Sequence, residues 1–370
     1  MTSIIYVGMD VHTTNYTLRC YSVATDNLFA TATMEPDYMN IIKYLDRVNR
    51  ELGEDIQFEC GYEAGCLGYS LYHQLARQGI NCTILAPTTM ATARKKKGVK
   101  NDKRDAADIA KCLAYNTYSP VYVPTGEDNA VKEYIRMRND AKDMLKRIKQ
   151  QLLAFCTRNG KRFAEGSAWT QKHIAWLGKL DFGDAILNET LREYLTLYRQ
   201  AADKVELYDL RITEMSKAER YAEKVKKLEC FIGVKDYTAL ATIVEIGDFA
   251  RFQTAQNFSS YIGLVPGEDS SGNSVQITGI TKAGNSHVRK MLIEAAQCYS
   301  RGGIGVKGKA LKARQAGNDP KVIAYADRAN ERLKRKCYRI MCRSKRNIAV
   351  TAVARELACF IWGMMTDNIA

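Results

Sequence analysis

The sequence predicts an α/β N-terminal domain followed by a mostly helical remainder. Three observations carry this. Residues 1–125 alternate between β-branched or aromatic runs and stretches of helical spacing. Residues 126–228 repeat apolar side chains every three or four positions among charged ones. Residues 229–370 combine short helical patterns with a Gly/Ser-rich loop at 266–284 and a basic tail. Three domains with these boundaries are expected.

In the first, Ile4 to Met9 is an apolar run ending at Asp10. Tyr16 to Val23 and Leu28 to Thr33 read as strands separated by short polar breaks. Pro36 opens a helical stretch, with Met39, Ile42 and Leu45 near helical spacing. Ile56 to Tyr62 predicts a fourth strand ending at Glu63. A helix follows over Leu67 to Gln78, then a short strand, Asn81 to Leu85, stopped by Pro87, then a helix from Asp102 to Tyr115. Three strands joined by tight turns make an antiparallel meander, and the later two return through helical crossovers. The order βββαβαβα is that of the ribonuclease H fold, which is the expectation here.

In the middle region Leu191, Tyr194, Tyr198, Ala201, Val205, Tyr208, Ile212 and Met215 form one apolar seam. It predicts a coiled coil or a long antiparallel hairpin. An earlier helix, Val131 to Ala154, has similar spacing, interrupted by Arg138. Pairing between chains would make a homo-oligomer, a dimer or tetramer.

The formal net charge is +14, from 55 basic and 41 acidic side chains. Between Arg301 and Arg346 stand 15 Lys or Arg against 3 Asp or Glu. Such a surface repels itself unless a polyanion neutralises it. The N-terminal run turns acidic too soon for a signal peptide. Ile348 to Met365 is interrupted by Arg355-Glu356, so a packed helix is expected and no membrane partner. Eleven cysteines without a C-x-x-C pair fit reduced thiols and a cytoplasmic location, not a zinc site or disulfide frame.

Four carboxylates stand out. Asp10 ends the first strand, Glu63 ends the fourth, and Asp102 and Asp105 lie on one face at the start of a helix. Crowded carboxylates repel, and divalent cations remove that cost. Oxygen ligands suit Mg²⁺, with Mn²⁺ as a substitute. Glu59 and Asp108 compete for the same roles. Arg94, Lys95, Lys96, Lys97 and Lys100 precede the acidic helix and read as a phosphate-backbone grip. Lys334, Arg335 and Lys336 in the tail read the same way.

Four stretches together resemble the DEDD transposases of the Piv-invertase-like insertion-sequence family, often called the one-ten family. They are Tyr6-Val7-Gly8-Met9-Asp10-Val11-His12; Tyr62-Glu63-Ala64-Gly65-Cys66; Lys100-Asn101-Asp102-Lys103-Arg104-Asp105-Ala106; and the succession Tyr261-Ile262-Gly263-Leu264-Val265-Pro266, Ser270-Ser271-Gly272, Thr281-Lys282-Ala283-Gly284-Asn285. The resemblance spans nearly the whole chain. It implies Asp10, Glu63, Asp102 and Asp105 as metal ligands, with Asp108 a bystander. It implies Ser271 as a nucleophile towards DNA, with Ser270 and Ser274 as competitors, and it places Lys282 at the nucleic acid. It also implies a structured guide RNA encoded by the element itself. Two departures stand out. The second stretch lacks the family's hydroxyl residue before Gly65. At Ile232-Gly233-Val234-Lys235 the second glycine of the family's hairpin is missing.

The expected function is therefore that of an RNA-guided serine recombinase, a transposase that cleaves and rejoins double-stranded DNA at element ends and target. Two rivals remain. One is a junction-resolvase-like endonuclease in which water attacks. The other is a coiled-coil nucleic-acid-binding protein without catalysis.

Overall fold

A computed structural model describes residues 3–53, 56–90, 101–269 and 276–369. The chain forms two compact units, Met1–Val123 and Pro124–Ala370.

The first unit contains β1 (Ser3–Val11), β2 (Tyr16–Ser22), β3 (Asn27–Met34), α1 (Tyr38–Leu52), β4 (Ile56–Glu63), α2 (Ser70–Arg77), β5 (Asn81–Leu85) and α3 (Asp102–Ala114). Its five-stranded sheet has the order β3-β2-β1-β4-β5. β1 is antiparallel to β2 and parallel to β4. β2 is antiparallel to β3, and β4 parallel to β5. The sheet is thus mixed, a meander extended by two crossover strands. Strand alternation divides β1 between two faces. Ile5, Val7 and Met9 are buried in a core with Ile41, Tyr44, Leu45 and Val48 of α1 and Leu71 and Leu75 of α2. Tyr6, Gly8 and Asp10 face the other way, where α3 lies. A Cβ at Gly8 would stand 1.9 Å from the Ala106 carbonyl oxygen and 2.4 Å from the Ala110 nitrogen. Glycine here lets helix backbone rest on strand backbone. At the far end of α3 the Tyr21 hydroxyl lies 2.6 Å from that of Tyr115.

The second unit contains α4 (Gly126–Arg158), α5 (Gln171–Gly178), α6 (Ala185–Ser216), α7 (Glu219–Leu228), α8 (Asp236–Ile246), α9 (Ala255–Tyr261), β6 (Pro266–Glu268), β7 (Ile277–Ile280), α10 (Ser286–Ala296), α11 (Lys309–Gln315), α12 (Pro320–Met341) and α13 (Arg346–Met365). α4 and α6 run antiparallel within one chain. Tyr134 meets Tyr208 edge-on at 5.9 Å, and Phe155 meets Tyr194 at 5.6 Å. The seam residues Tyr194 and Tyr208 are thus covered in part by α4. Arg138, the break in the α4 pattern, is buried and donates to both carboxylate oxygens of Asp209 on α6, at 2.6 and 2.9 Å. A charge in that seam is tolerable because its partner faces it. α5 closes the hairpin tip, where Leu177 packs with Leu152, Phe155 and Leu191. At the other end Ile135 and Ile212 join the core of α7–α13. α13 is long and apolar enough to cross a membrane by length and composition. Here Ala349, Val353, Ala354, Leu357, Ala358 and Ile361 are fully buried in that core.

Candidate metal centre and nucleic-acid interface

The α3 seat on Gly8 sets the acidic site. Asn101 caps the helix, accepting from the Lys103 N–H at 3.0 Å. Asp102 and Asp105 fill the first turn, where the helix dipole favours negative charge. Asp10, two residues past Gly8 on the same face, meets Asp102, while half-buried Asp105 stands outside the close group. Oxygens of Asp10 and Asp102 and a ring nitrogen of His12 lie within 4.8 Å of one another. Asp10 Oδ1 is 3.3 Å from His12 Nε2. Its Oδ2 is buried and has no hydrogen-bond partner. Burial raises the Asp10 carboxyl above its ordinary range; His12 opposes this, and Asp102 and Asp105 add to it. An orphaned carboxylate oxygen is costly unless a cation meets it. The carboxylate oxygens of Asp10 and Asp102 are the donors that suit Mg²⁺ or Mn²⁺, and His12 stands beside them against Asp10 Oδ1.

Glu63 ends β4, one register step beyond the pair Met9–Tyr62, so it stands beside Asp10 at the strand ends. It shares a face with Gly61, where a Cβ would touch Leu113 of α3. It is exposed and stands outside the group within 4.8 Å. Asp108 is half-buried on α3, also outside that group. Glu59 is engaged elsewhere, accepting from Gln57 and Asn81 at 2.8 and 2.6 Å. His12 escaped the sequence reading. Its signal was the spacing Asp10-Val11-His12, which puts both side chains on one strand face.

Arg94, Lys95, Lys96, Lys97 and Lys100 lie outside the described residues, as do Ser270, Ser271, Gly272 and Ser274. The elements flanking those serines are described. β6 and β7 pair antiparallel. Two glycines lock the base of this hairpin. Gly263 has φ +67, and a Cβ there would fall 2.2 Å from the Ala283 carbonyl oxygen. Gly284 has φ +72, and a Cβ there would fall 1.8 Å from the Tyr261 carbonyl oxygen. The two short motifs therefore interlock backbone to backbone. Arg289 Nη1 ties them further, donating to the carbonyls of Ile262 and Ala283 at 2.9 and 3.1 Å. Asn285 caps α10 and donates to Glu245 Oε2 at 2.9 Å. Glu245 also takes two bonds from Arg136, at 2.8 and 3.0 Å. Burial would raise its carboxyl, but Arg136 and Asn285 hold it below the ordinary range. The signal for this anchor was a lone glutamate in the mostly apolar second half of α8, which cannot be buried unpaired.

The basic tail divides. Lys334 is only 6% exposed, and its ammonium donates to the Gly303 carbonyl at 2.7 Å. Its side chain is thus engaged within the fold, unlike that of the exposed Arg335. Arg335 is exposed and pairs with Glu331 on its own helix. Lys336 donates to Glu356 at 2.6 Å. Lys282 is exposed at the foot of β7, with φ +56. The turn at Gly233 is locked inward: its φ is +82, and a Cβ would stand 2.2 Å from the Ala295 carbonyl oxygen.

Comparison with known proteins matches both units of the chain. A model of DEDD transposases of the IS110 group matches residues 7–158. Another, described as Transposase IS116/IS110/IS902 family, matches residues 225–304. The transposase for insertion sequence element IS1533 of Leptospira borgpetersenii is 30% identical over 335 residues, covering 90% of this chain and 95% of its own. A Sinorhizobium fredii protein is 32% identical over 309 residues, covering 83% of this chain and 75% of its own. The transposase for insertion sequence element IS1111A of Coxiella burnetii is 25% identical over 235 residues, covering 62% of each chain. With one relative at this identity along almost its whole length, and both family matches in order, the chain belongs to the IS116/IS110/IS902 transposase family.

Proposed function

We propose that this transposase cuts and rejoins DNA at insertion-sequence ends, using a metal centre on a ribonuclease H-like domain and Ser271 of the C-terminal domain. The carrying observation is the orphaned, buried Oδ2 of Asp10 beside Asp102 and His12. The sheet order β3-β2-β1-β4-β5 supports the fold reading. Asp10, Glu63, Asp102 and Asp105 would hold Mg²⁺, with Mn²⁺ as substitute. When bound, such an ion supplies charge neutralisation at the scissile phosphate. His12, donating to Oδ1, turns Oδ2 towards the ligand position. Ser271 Oγ attacks phosphorus: an Oγ–P bond forms, a P–O bond to deoxyribose breaks, and the departing oxygen leaves as a hydroxyl. The phosphoserine link keeps the phosphodiester energy for rejoining, without ATP.

In this reading an RNA encoded by the element selects the DNA, and a dimer or tetramer holds the two partners. The net charge of +14 supports polyanion binding. The test is a denaturing gel of labelled element-end DNA with peptide mapping. The wild type should form a covalent adduct at Ser271. Ser271→Ala should bind DNA without cutting it. Cutting without an adduct would leave hydrolysis by water as the mechanism.

A further inference from the structure

We propose that the C-terminal unit holds an unpaired nucleotide of a single strand in the cavity between the β6–β7 hairpin and the first half of α13. The proposal rests on the reading of this chain as an enzyme of nucleic acid. The cavity measures about 550 Å³, in the range of small-ligand sites. Its lining includes apolar side chains, Pro266, Ile280 and Ile348. Ile348 is 56% exposed, an apolar surface left open at the cavity. Its rim is cationic, with Lys282, Lys336 and Arg355. Lys282 and Arg355 have no acidic partner among the described residues. Lys282 is also held in the left-handed region, its backbone N–H bonded to the Gly263 carbonyl at 3.1 Å. Such a conformation in a non-glycine residue points to a functional placement.

A second cavity, of about 450 Å³, adjoins the first through Lys336, which lines both. Arg332, Arg335 and Arg339 line it too, at helical spacing on one face of α12. Glu356 engages Arg332 and Lys336, and Glu331 engages Arg335. Four cations against two carboxylates leave the ledge positive. A cationic track that runs into an apolar pocket matches phosphates followed by a flat apolar base. A duplex keeps its bases stacked, so only a strand with a free base fills both parts.

The experiment is fluorescence anisotropy on the full-length protein. Its probes are a short oligothymidylate, an oligouridylate of equal length, an abasic strand with the same phosphates, and a duplex. One base-bearing strand should bind roughly tenfold more tightly than the abasic strand. The tighter of the two identifies the source as DNA or RNA. Ile348→Glu should remove the difference, while Ile186→Glu, on the exposed face of α6, should keep it. Strands with a diazirine-bearing base, which inserts into aliphatic side chains, should cross-link the wild type within residues 277–282 or 346–355. Equal binding of the abasic strand, or cross-links only elsewhere, overturns the proposal. If duplex binding persists in that case, only the pocket assignment falls. If the wild type binds no nucleic acid, the functional reading itself falls.

Discussion

Gly8→Ala should lift α3 off the sheet and open the acidic site. The added Cβ would stand 1.9 Å from the Ala106 carbonyl oxygen and 2.4 Å from the Ala110 nitrogen. An ordinary C···O approach is about 3.3 Å, so the helix must retreat by more than about 1 Å. Both obstacles are backbone, so no rotamer change relieves them. Overpacking of this kind costs about 1–3 kcal/mol, and rigid neighbours put this case near 3. A drop in unfolding midpoint on the order of 10 °C follows. Retreat of α3 also draws Asp102 away from Asp10, so the rise in midpoint on adding Mn²⁺ should shrink. Gly61→Ala is the internal control. Its Cβ would meet side-chain ends of Leu85 and Leu113 at 2.8–3.0 Å, which can rotate away. Its cost should stay within about 1 kcal/mol, partly offset by a less flexible unfolded chain. Circular-dichroism melts of both variants, with and without Mn²⁺, test this. A Gly8→Ala protein as stable as Gly61→Ala would refute the backbone-seat argument.

Two further outcomes follow from the second unit. Burial would raise the Asp128 carboxyl, but bonds from Arg220, Tyr221 and Thr125 outweigh it and bring the pKa to about 2. The unfolded chain therefore takes up the proton first. The resulting stability, about 2 kcal/mol, is whole above pH ~4 and is lost as pH falls towards 2. Asp128→Asn should flatten the acid limb of the stability curve between those values, and an unchanged limb would contradict the assignment. Lys334→Ala should cost about 1–3 kcal/mol through the lost packing of a buried side chain and its charge-assisted bond to the Gly303 carbonyl, with the salt dependence of DNA binding intact. Arg335→Ala should do the reverse, lowering the log–log salt slope by roughly one for each phosphate no longer neutralised; equal effects of the two on that slope would put Lys334 back at the surface.

The N-terminal sheet was legible in the sequence because its strands are short, β-branched and separated by clear breaks. Asn81–Leu85 appears with the bounds read from sequence, β2 and β4 begin at the residue read and differ by one at their ends, and β1 starts one residue earlier and runs two further. The helix expected from Pro36 begins at Tyr38 instead, because Asp37 supplies the cap, accepting from the Met39 N–H at 2.9 Å. β6 and β7 escaped notice in a stretch read as loop, since strands of three and four residues carry too little periodicity. The acidic residues were legible from their places on elements. The convergence of Asp10 and Asp102 was expected, but the part Gly8 plays in it was not, because that part is an absent side chain. Lys334 was read among the exposed cations because charge counting cannot tell an ammonium in solvent from one on a buried side chain bonded to the Gly303 carbonyl.

The most direct measurement is calorimetric titration of Mn²⁺ into the full-length wild type, Asp10→Asn and Asp102→Asn. The wild type should bind the ion, and each variant should lose at least about tenfold in affinity, as expected when one carboxylate ligand is removed. Without metal, Asp10→Asn should be at least as stable as the wild type, because the substitution removes a buried oxygen with no partner. Equal affinity in all three proteins would contradict the metal centre on which this account of strand cleavage depends.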